Sequence, residues 1–257
     1  MRPRVIPVLL IHEGGLVKTV RFRSPTYLGD PINTMRLFND MEVDELIVLD
    51  ISATRSRRPP DLEMIRTFAD ECFMPLCYGG GVDSVADARR LFELGVEKIA
   101  VNAAARRNPA FVRALSEVFG AQSIVVSVDV RKTLFGRYEI HDYCSGKSDA
   151  DPFAFVEDVI GQGAGEILLN AVDRDGLMTG YDLALISQVS RIAKVPLIAC
   201  GGAAKLTDCV HAIGAGADAA AAGSMFVFQG KERGVLINYP TQDQLHAAFQ
   251  QASQEHP

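Results

Sequence analysis

Two glycine clusters, Gly79-Gly80-Gly81 and Gly201-Gly202, each close a short apolar run. One run later each is followed by a small polar element, Asn102 in the first case and Gly223-Ser224 in the second. Glycines let backbone N–H groups come close to an anion, and a helix N-terminus behind them adds a positive dipole. Phosphate binding is therefore expected at Gly80, Gly81 and Asn102, and again at Gly202, Gly223 and Ser224. The alternative is that these glycines only make tight turns. The stretch DRDG, 173–176, is polar and turn-like, and Asp175 and Gly176 are assigned to ligand contact ahead of a plain turn. Asp129 closes the run SIVVSVD. A carboxylate there can act as a general acid or base, or it can be a structural group bonded to loop amides. Asp50, at the end of ELIVLD, is a further candidate with the same two readings.

These residues need elements to position them. Eight apolar runs alternate with helical segments: VIPVLL (5–10), ELIVLD (45–50), PLCYG (75–79), KIAVN (98–102), SIVVSVD (123–129), EILLNA (166–171), PLIACG (196–201) and DAAAA (218–222). Continuous apolarity means both strand faces are buried, as in a parallel sheet under helices. In DSVADARRLFELG, Ser84 is expected to cap a helix with Asp87. Val85, Ala88, Leu91 and Phe92 form its apolar face, and Gly95 stops it. In DPFAFVEDVIGQG, Asp151 can cap and Pro152 suits the first turn.

Eight strand–helix units in 257 residues give an α/β fold, a (β/α)8 TIM barrel, read as one domain over residues 1–257. An open doubly wound sheet is the other arrangement, but it would more often show GxGxxG after its first strand, and none is present. An internal repeat sharpens the barrel. DELIVLD (44–50) matches GEILLNA (165–171), MPLCYGGGV (74–82) matches VPLIACGGA (195–203), and ELGVEKIAVNAA (93–104) matches GAGADAAAAGSM (214–225). All three pairs share one ungapped offset of 121 residues, so the barrel has an internal twofold half-barrel repeat. The working end of such a barrel is the C-terminal end of its strands, where both glycine clusters and Asp129 fall. At the opposite end, Arg4, Glu45, Lys98 and Glu166 start four of the runs. Their charges can close into a ring of ion pairs, and the residues alone favour a stabilising network there. The tail NYPTQDQLHAAFQQASQEHP is expected to hold a last helix and a frayed end.

Composition narrows the classes further. Net charge is −6 with no basic stripe, which argues against nucleic acid. No run approaches the length of a membrane span, and the apolar start is too short for a signal peptide. Five cysteines (72, 77, 144, 200, 209) include no CxxC pair, so neither a disulfide framework nor a zinc site is expected, and a reducing cytoplasm fits. Cys77 and Cys200 read as core residues. The histidines at 12, 141, 211, 246 and 256 show no ligand spacing, and no metal or cofactor is implied.

Together these residues resemble the HisF family, the cyclase subunit of imidazole glycerol phosphate synthase. The resemblance runs from about Arg4 to Phe228. It rests on GDP (29–31), DELIVLDI (44–51), YGGGV (78–82), SVD (127–129), SGKS (145–148), GAGEILLNAVDRDG (163–176), GYD (180–182), ACGGA (199–203) and GADAAAAGSMF (216–226). The sister isomerase family, HisA, shares the half-barrel repeat, but GAGEILL with DRDG and GYD is more similar to HisF. The resemblance implies a HisH-type glutaminase partner and ammonia passing through the barrel. It implies reaction at the far mouth with phosphoribulosyl-formimino-aminoimidazole carboxamide ribotide. The family's charged gate of one Arg, one Lys and two Glu matches Arg4, Lys98, Glu45 and Glu166. Lys18, in the first loop, matches a retained substrate-loop lysine.

The family's two catalytic aspartates are matched unequally. One matches Asp129; the other falls on Leu10, which can neither accept nor donate a proton. Glu13, on the following loop, is a poorly placed substitute. Ala103 and Leu177 stand where the family has threonines, and Asn170 replaces a strand threonine. The glutaminase-facing end thus matches the family better than the substrate-facing end. With the closing stretch VFQGKERGVLINYP, this is similar to HisF-like proteins of bacterial surface-polysaccharide pathways. There the barrel is expected to deliver ammonia to a sugar amidotransferase. The other expectation is a working cyclase of histidine biosynthesis.

Overall fold

The computed structural model describes residues 2–230 and 232–255. Eight strands form the barrel: β1 (Arg4–His12), β2 (Leu46–Asp50), β3 (Leu76–Gly79), β4 (Lys98–Val101), β5 (Ile124–Lys132), β6 (Glu166–Ala171), β7 (Leu197–Cys200) and β8 (Ala219–Ala222). Each pairs in parallel with the next, and β8 pairs with β1, so the sheet closes. The expected strands all appear, and the repeat is structural: adding 121 to the bounds of β3 and β4 gives the bounds of β7 and β8.

The helices around it are α1 (Pro31–Asp40), α2 (Leu62–Glu71), α3 (Val85–Glu93), α4 (Ala110–Phe119), α5 (Pro152–Gly161), α6 (Leu183–Ser190), α7 (Leu206–Gly214) and α8 (Gln242–Glu255). Their ends follow the expected chemistry. The Ser84 hydroxyl accepts from Asp87 N at 3.0 Å, and Gly95 takes up a φ of +98° just beyond α3. Asp151 accepts from Phe153 N at 2.9 Å, with Pro152 in the first turn of α5. The expected frayed end, with His256, lies outside the described residues. No described helix is long and apolar enough to cross a membrane.

Alternation along each strand sorts two cores. Outward residues such as Leu9, Val48, Tyr78, Val126 and Leu169 pack under the helices. Inward residues Ile6, Val8, Ile47, Cys77, Ala100, Val125, Leu168, Ile198 and Cys200 fill the barrel, with Leu10 and Leu49 packed on them. Cys77 and Cys200 are therefore core residues, as expected.

Two corrections concern the mouth. The first strand does not end at Leu10 but runs on to His12. The segment after it is not a flexible loop but a hairpin, Gly15–Val20 with Arg23–Gly29. β5 likewise extends past Asp129 and pairs with Tyr138–His141, which pairs with Ser148–Ala150. The apolar run of RVIPVLLIH continues through Ile11 and carries the first extension; the polar RKTLFGRYEIH masks the second.

Candidate functional site

At the bottom of the barrel the four expected charges meet. Arg4 Nη1 bonds Glu45 Oε2, and Arg4 Nη2 reaches Glu166 Oε1 at 3.0 Å. Lys98 Nζ lies 3.1 Å from Glu45 Oε2 and 3.0 Å from Glu166 Oε1. Each cation touches both carboxylates, so the ring is closed. Arg4, Lys98 and Glu166 open their strands, and Glu45 stands one residue before β2, so all four side chains reach the same axial level. A second network frames the ring. Arg2 holds Asp44 at 2.6 Å, Asp44 accepts from Val5 N at 2.8 Å, and the Tyr239 hydroxyl donates to Val5 O at 2.7 Å. Nothing in the sequence pattern singled out Arg2, Asp44 or Tyr239.

The mouth holds a cavity of about 170 Å³. It is lined by nearly every residue expected at a ligand site: Lys18, Gly80, Gly81, Asn102, Asp129, Asp175, Gly176, Gly202, Gly223 and Ser224. Val8, Leu10, Leu49, Ala100 and Cys200 also line it. Leu10 and Asp129 sit on strands half a turn apart in the ring of eight, and both line the cavity, as does Asp175. Glu13 is exposed at a turn with φ of +50° and is not among the lining residues.

Asp129 is 7% exposed, and burial pushes its carboxyl up to about 7, helped by the charge of Asp175. The Asn102 amide opposes this by donating to Asp129 Oδ2 at 2.7 Å. Such a group exchanges a proton near neutral pH. Lys18 is buried, and burial lowers its ammonium to about 8 against the attraction of Asp175. Its Nζ donates to Val8 O at 2.6 Å. The Asp175 carboxyl is raised by burial, and it accepts from Thr19 Oγ1 at 3.0 Å and Phe22 N at 3.3 Å. The DRDG turn therefore anchors the first hairpin as well as lining the cavity. Phe22 meets the Tyr143 ring edge-on at 5.9 Å, and Arg55 lies over that ring at 5.6 Å, so the two hairpins close over the mouth.

Asp50 is not a free acid. It accepts from Ser52 N at 2.8 Å, Ser52 Oγ at 2.6 Å and Ala53 N at 3.0 Å, which is the structural role among its two readings. The glycine clusters also have a packing reason. A Cβ at Gly81 would collide with Arg58 O, and one at Gly202 with Gly180 O. Asn170 lines the cavity with its Oδ1 buried and without a partner.

A closed parallel barrel of eight strands under helices, with a cavity at its C-terminal mouth, defines a (β/α)8 protein. The family described as "Histidine biosynthesis protein" matches residues 4–232, and the chain belongs to it. Two relatives, from Pseudomonas aeruginosa and Vibrio vulnificus, carry the name "Putative imidazole glycerol phosphate synthase subunit", hisF2 and hisF3 respectively. Each is 46% identical to this chain, covering 95% of it and 98% of the first relative, and 97% of it and 97% of the second. The imidazole glycerol phosphate synthase subunit HisF of Streptococcus mutans is 37% identical over 82% of this chain and 84% of its own. The chain is a HisF-like protein.

Proposed function

We propose that this chain is the HisF-type subunit of a glutamine amidotransferase. It receives ammonia from a HisH-type glutaminase docked at the Arg4–Glu45–Lys98–Glu166 ring. It carries ammonia along the barrel and releases it at the mouth for a third protein that amidinates a bacterial surface-glycan sugar. The observation that carries this reading is Leu10 on the strand opposite Asp129: the first strand offers no carboxyl where the resemblance to the cyclase family leads one to expect a second catalytic aspartate. The interior between ring and cavity is apolar, lined by Ile6, Ile47, Cys77, Val125, Leu168 and Ile198, which suits neutral ammonia over ammonium. The numbered relatives hisF2 and hisF3, at 46% identity, lie nearer than the Streptococcus mutans HisF at 37%, which fits a paralogue.

A working cyclase of histidine biosynthesis is the second reading, favoured by the Asp129 carboxyl, which titrates near neutrality. Ammonia-dependent turnover of the histidine precursor by the purified chain, beside a Leu10→Asp variant, separates the two. The delivery reading expects an inactive natural chain and a gain of about 10²-fold or more in the variant, the usual worth of a positioned acid or base. Turnover by the natural chain at an ordinary HisF rate would overturn it.

A further inference from the structure

One hairpin at the mouth holds apolar side chains out into water. The extension of β5 turns over residues 133–137: Thr133 N donates to Arg137 O at 2.7 Å, Gly136 N donates to Thr133 O at 2.9 Å, and Gly136 takes a φ of +81°. At this ordered turn Leu134 and Phe135 are 103% and 93% exposed. Lys132 and Tyr138, which flank the turn, also line an outer cleft of about 590 Å³ with Arg174 and the partly exposed Leu183. Apolar surface of this kind, rimmed by polar groups, marks places where another molecule sits.

The charge around the mouth is just as uneven. Residues 13–29, 51–60 and 131–147 follow β1 and β2 and form the β5 hairpin. They carry ten Lys and Arg against three Asp and Glu, in a chain of net charge −6. Contacts join these segments into one arc. Arg55 lies over the Tyr143 ring at 5.6 Å, and Tyr143 meets Phe22 at 5.9 Å. Next to Phe22, Arg21 Nε donates to Asp173 O at 3.2 Å, and Asp173 Oδ2 accepts from Lys132 N at 2.7 Å. Arg21, Arg23, Arg55, Arg57 and Lys132 are exposed, and among the described residues none of them forms an ion pair with a carboxylate. An arc of cations without counter-charges, ending at an apolar tip, is one half of a charge-matched interface.

We propose that this arc and the Leu134-Phe135 tip dock the protein that receives the ammonia, and that its matching face is acidic around an apolar pocket for the tip. This partner presupposes the delivery reading above. Ammonia let out into neutral water takes up a proton and is no longer a nucleophile, so the receiving protein has to cover the mouth before release. A lipid surface also attracts cations and an apolar tip, but it would cover the mouth without offering an acceptor.

The test titrates the purified sugar amidotransferase of the same cell with three forms of the chain, each bound to its glutaminase. The forms are the natural chain, a Leu134→Ser/Phe135→Ser variant and an Arg21→Glu/Lys132→Glu variant. Both variants change exposed side chains and should keep the natural circular dichroism spectrum. The tip variant should bind about tenfold or more weakly, as an anchor residue does when truncated. The charge variant should also bind more weakly, with a shallower dependence on salt. Glutamine-driven amidination should fall with binding, while amidination fed by ammonium chloride stays unchanged. Unchanged binding by either folded variant would overturn the docking surface and leave delivery standing. No binding and no glutamine-driven amidination with the natural chain would overturn both. Binding to phosphatidylserine vesicles that the variants lose, while they hold the amidotransferase as before, would assign the surface to lipid instead.

Discussion

At the bottom of the barrel four charged side chains neutralise one another, each cation touching both carboxylates at 3.1 Å or less. At the mouth two comparably buried groups are held toward their neutral forms, Asp129 with its pKa raised to about 7 and Lys18 with its own lowered to about 8. The contrast shows that burial alone does not decide the state of a charge. Where burial is not answered by a ring of counter-charges, it pushes the group toward its neutral form, as it does Asp129 and Lys18. Strained ionisation of this kind collects where ligands bind, because the ligand supplies the missing partner.

The largest break in this comparison is Lys98→Met. It leaves Glu45, 2% exposed, and Glu166, 8% exposed, sharing Arg4 alone. Removing one partner from a buried ion network costs about 3 to 5 kcal/mol. Urea unfolding should show a loss of that order with the slope unchanged. Replacing all four charges together with apolar residues of similar volume should be close to neutral for stability. A fully apolar ring that folds well would show that the charges are not there for stability alone.

The next effect has the opposite sign. A carboxyl whose folded pKa is raised from 3.8 to about 7 contributes stability that is full below pH 3.8 and is lost as pH climbs through 7. Asp129→Asn removes the ionised form at neutral pH. The variant should be more stable than the natural chain at pH 8, by up to about 4 kcal/mol, because each tenfold loss of acidity on folding is worth about 1.4 kcal/mol. At pH 4 the two should melt together. Melting curves at the two pH values check this, and a variant no more stable at pH 8 than at pH 4 would remove the contrast between the ends.

These differences were unequally legible in the sequence. The barrel followed from apolar runs and one repeat offset, because both signals come from many residues acting together. The ring was visible because Arg4, Lys98 and Glu166 open strands and Glu45 precedes one, which sets their level along the axis. The mouth was less so. Asn102 was expected among the phosphate ligands from its place after β4; the bond from its amide to Asp129 on β5 is a contact that no local pattern encodes. Asp50 looked like an acid, yet Ser52 and Ala53 two and three residues on take its oxygens in an ordinary turn. Tyr239 and Asp44 meet across 195 positions of chain, so their contact had no sequence signal. Leu10 was legible in another way, as a departure from what the family resemblance led one to expect at the first strand rather than from any local pattern.

The smallest effect sharpens the comparison from the mouth side. Arg107 and Asp83 form an ion pair at 2.6 Å there, but their side chains are 59% and 56% exposed. Water screens such a pair, and fixing two long side chains opposes the attraction, so its worth is under about 1 kcal/mol. Arg107→Ala should therefore leave the unfolding midpoint nearly unchanged, where Lys98→Met moves it strongly, although the shortest distances in the two networks are alike. If Arg107→Ala proved as costly as Lys98→Met, distance rather than burial would govern these ion pairs. The ring would then be no different in kind from an ordinary surface contact.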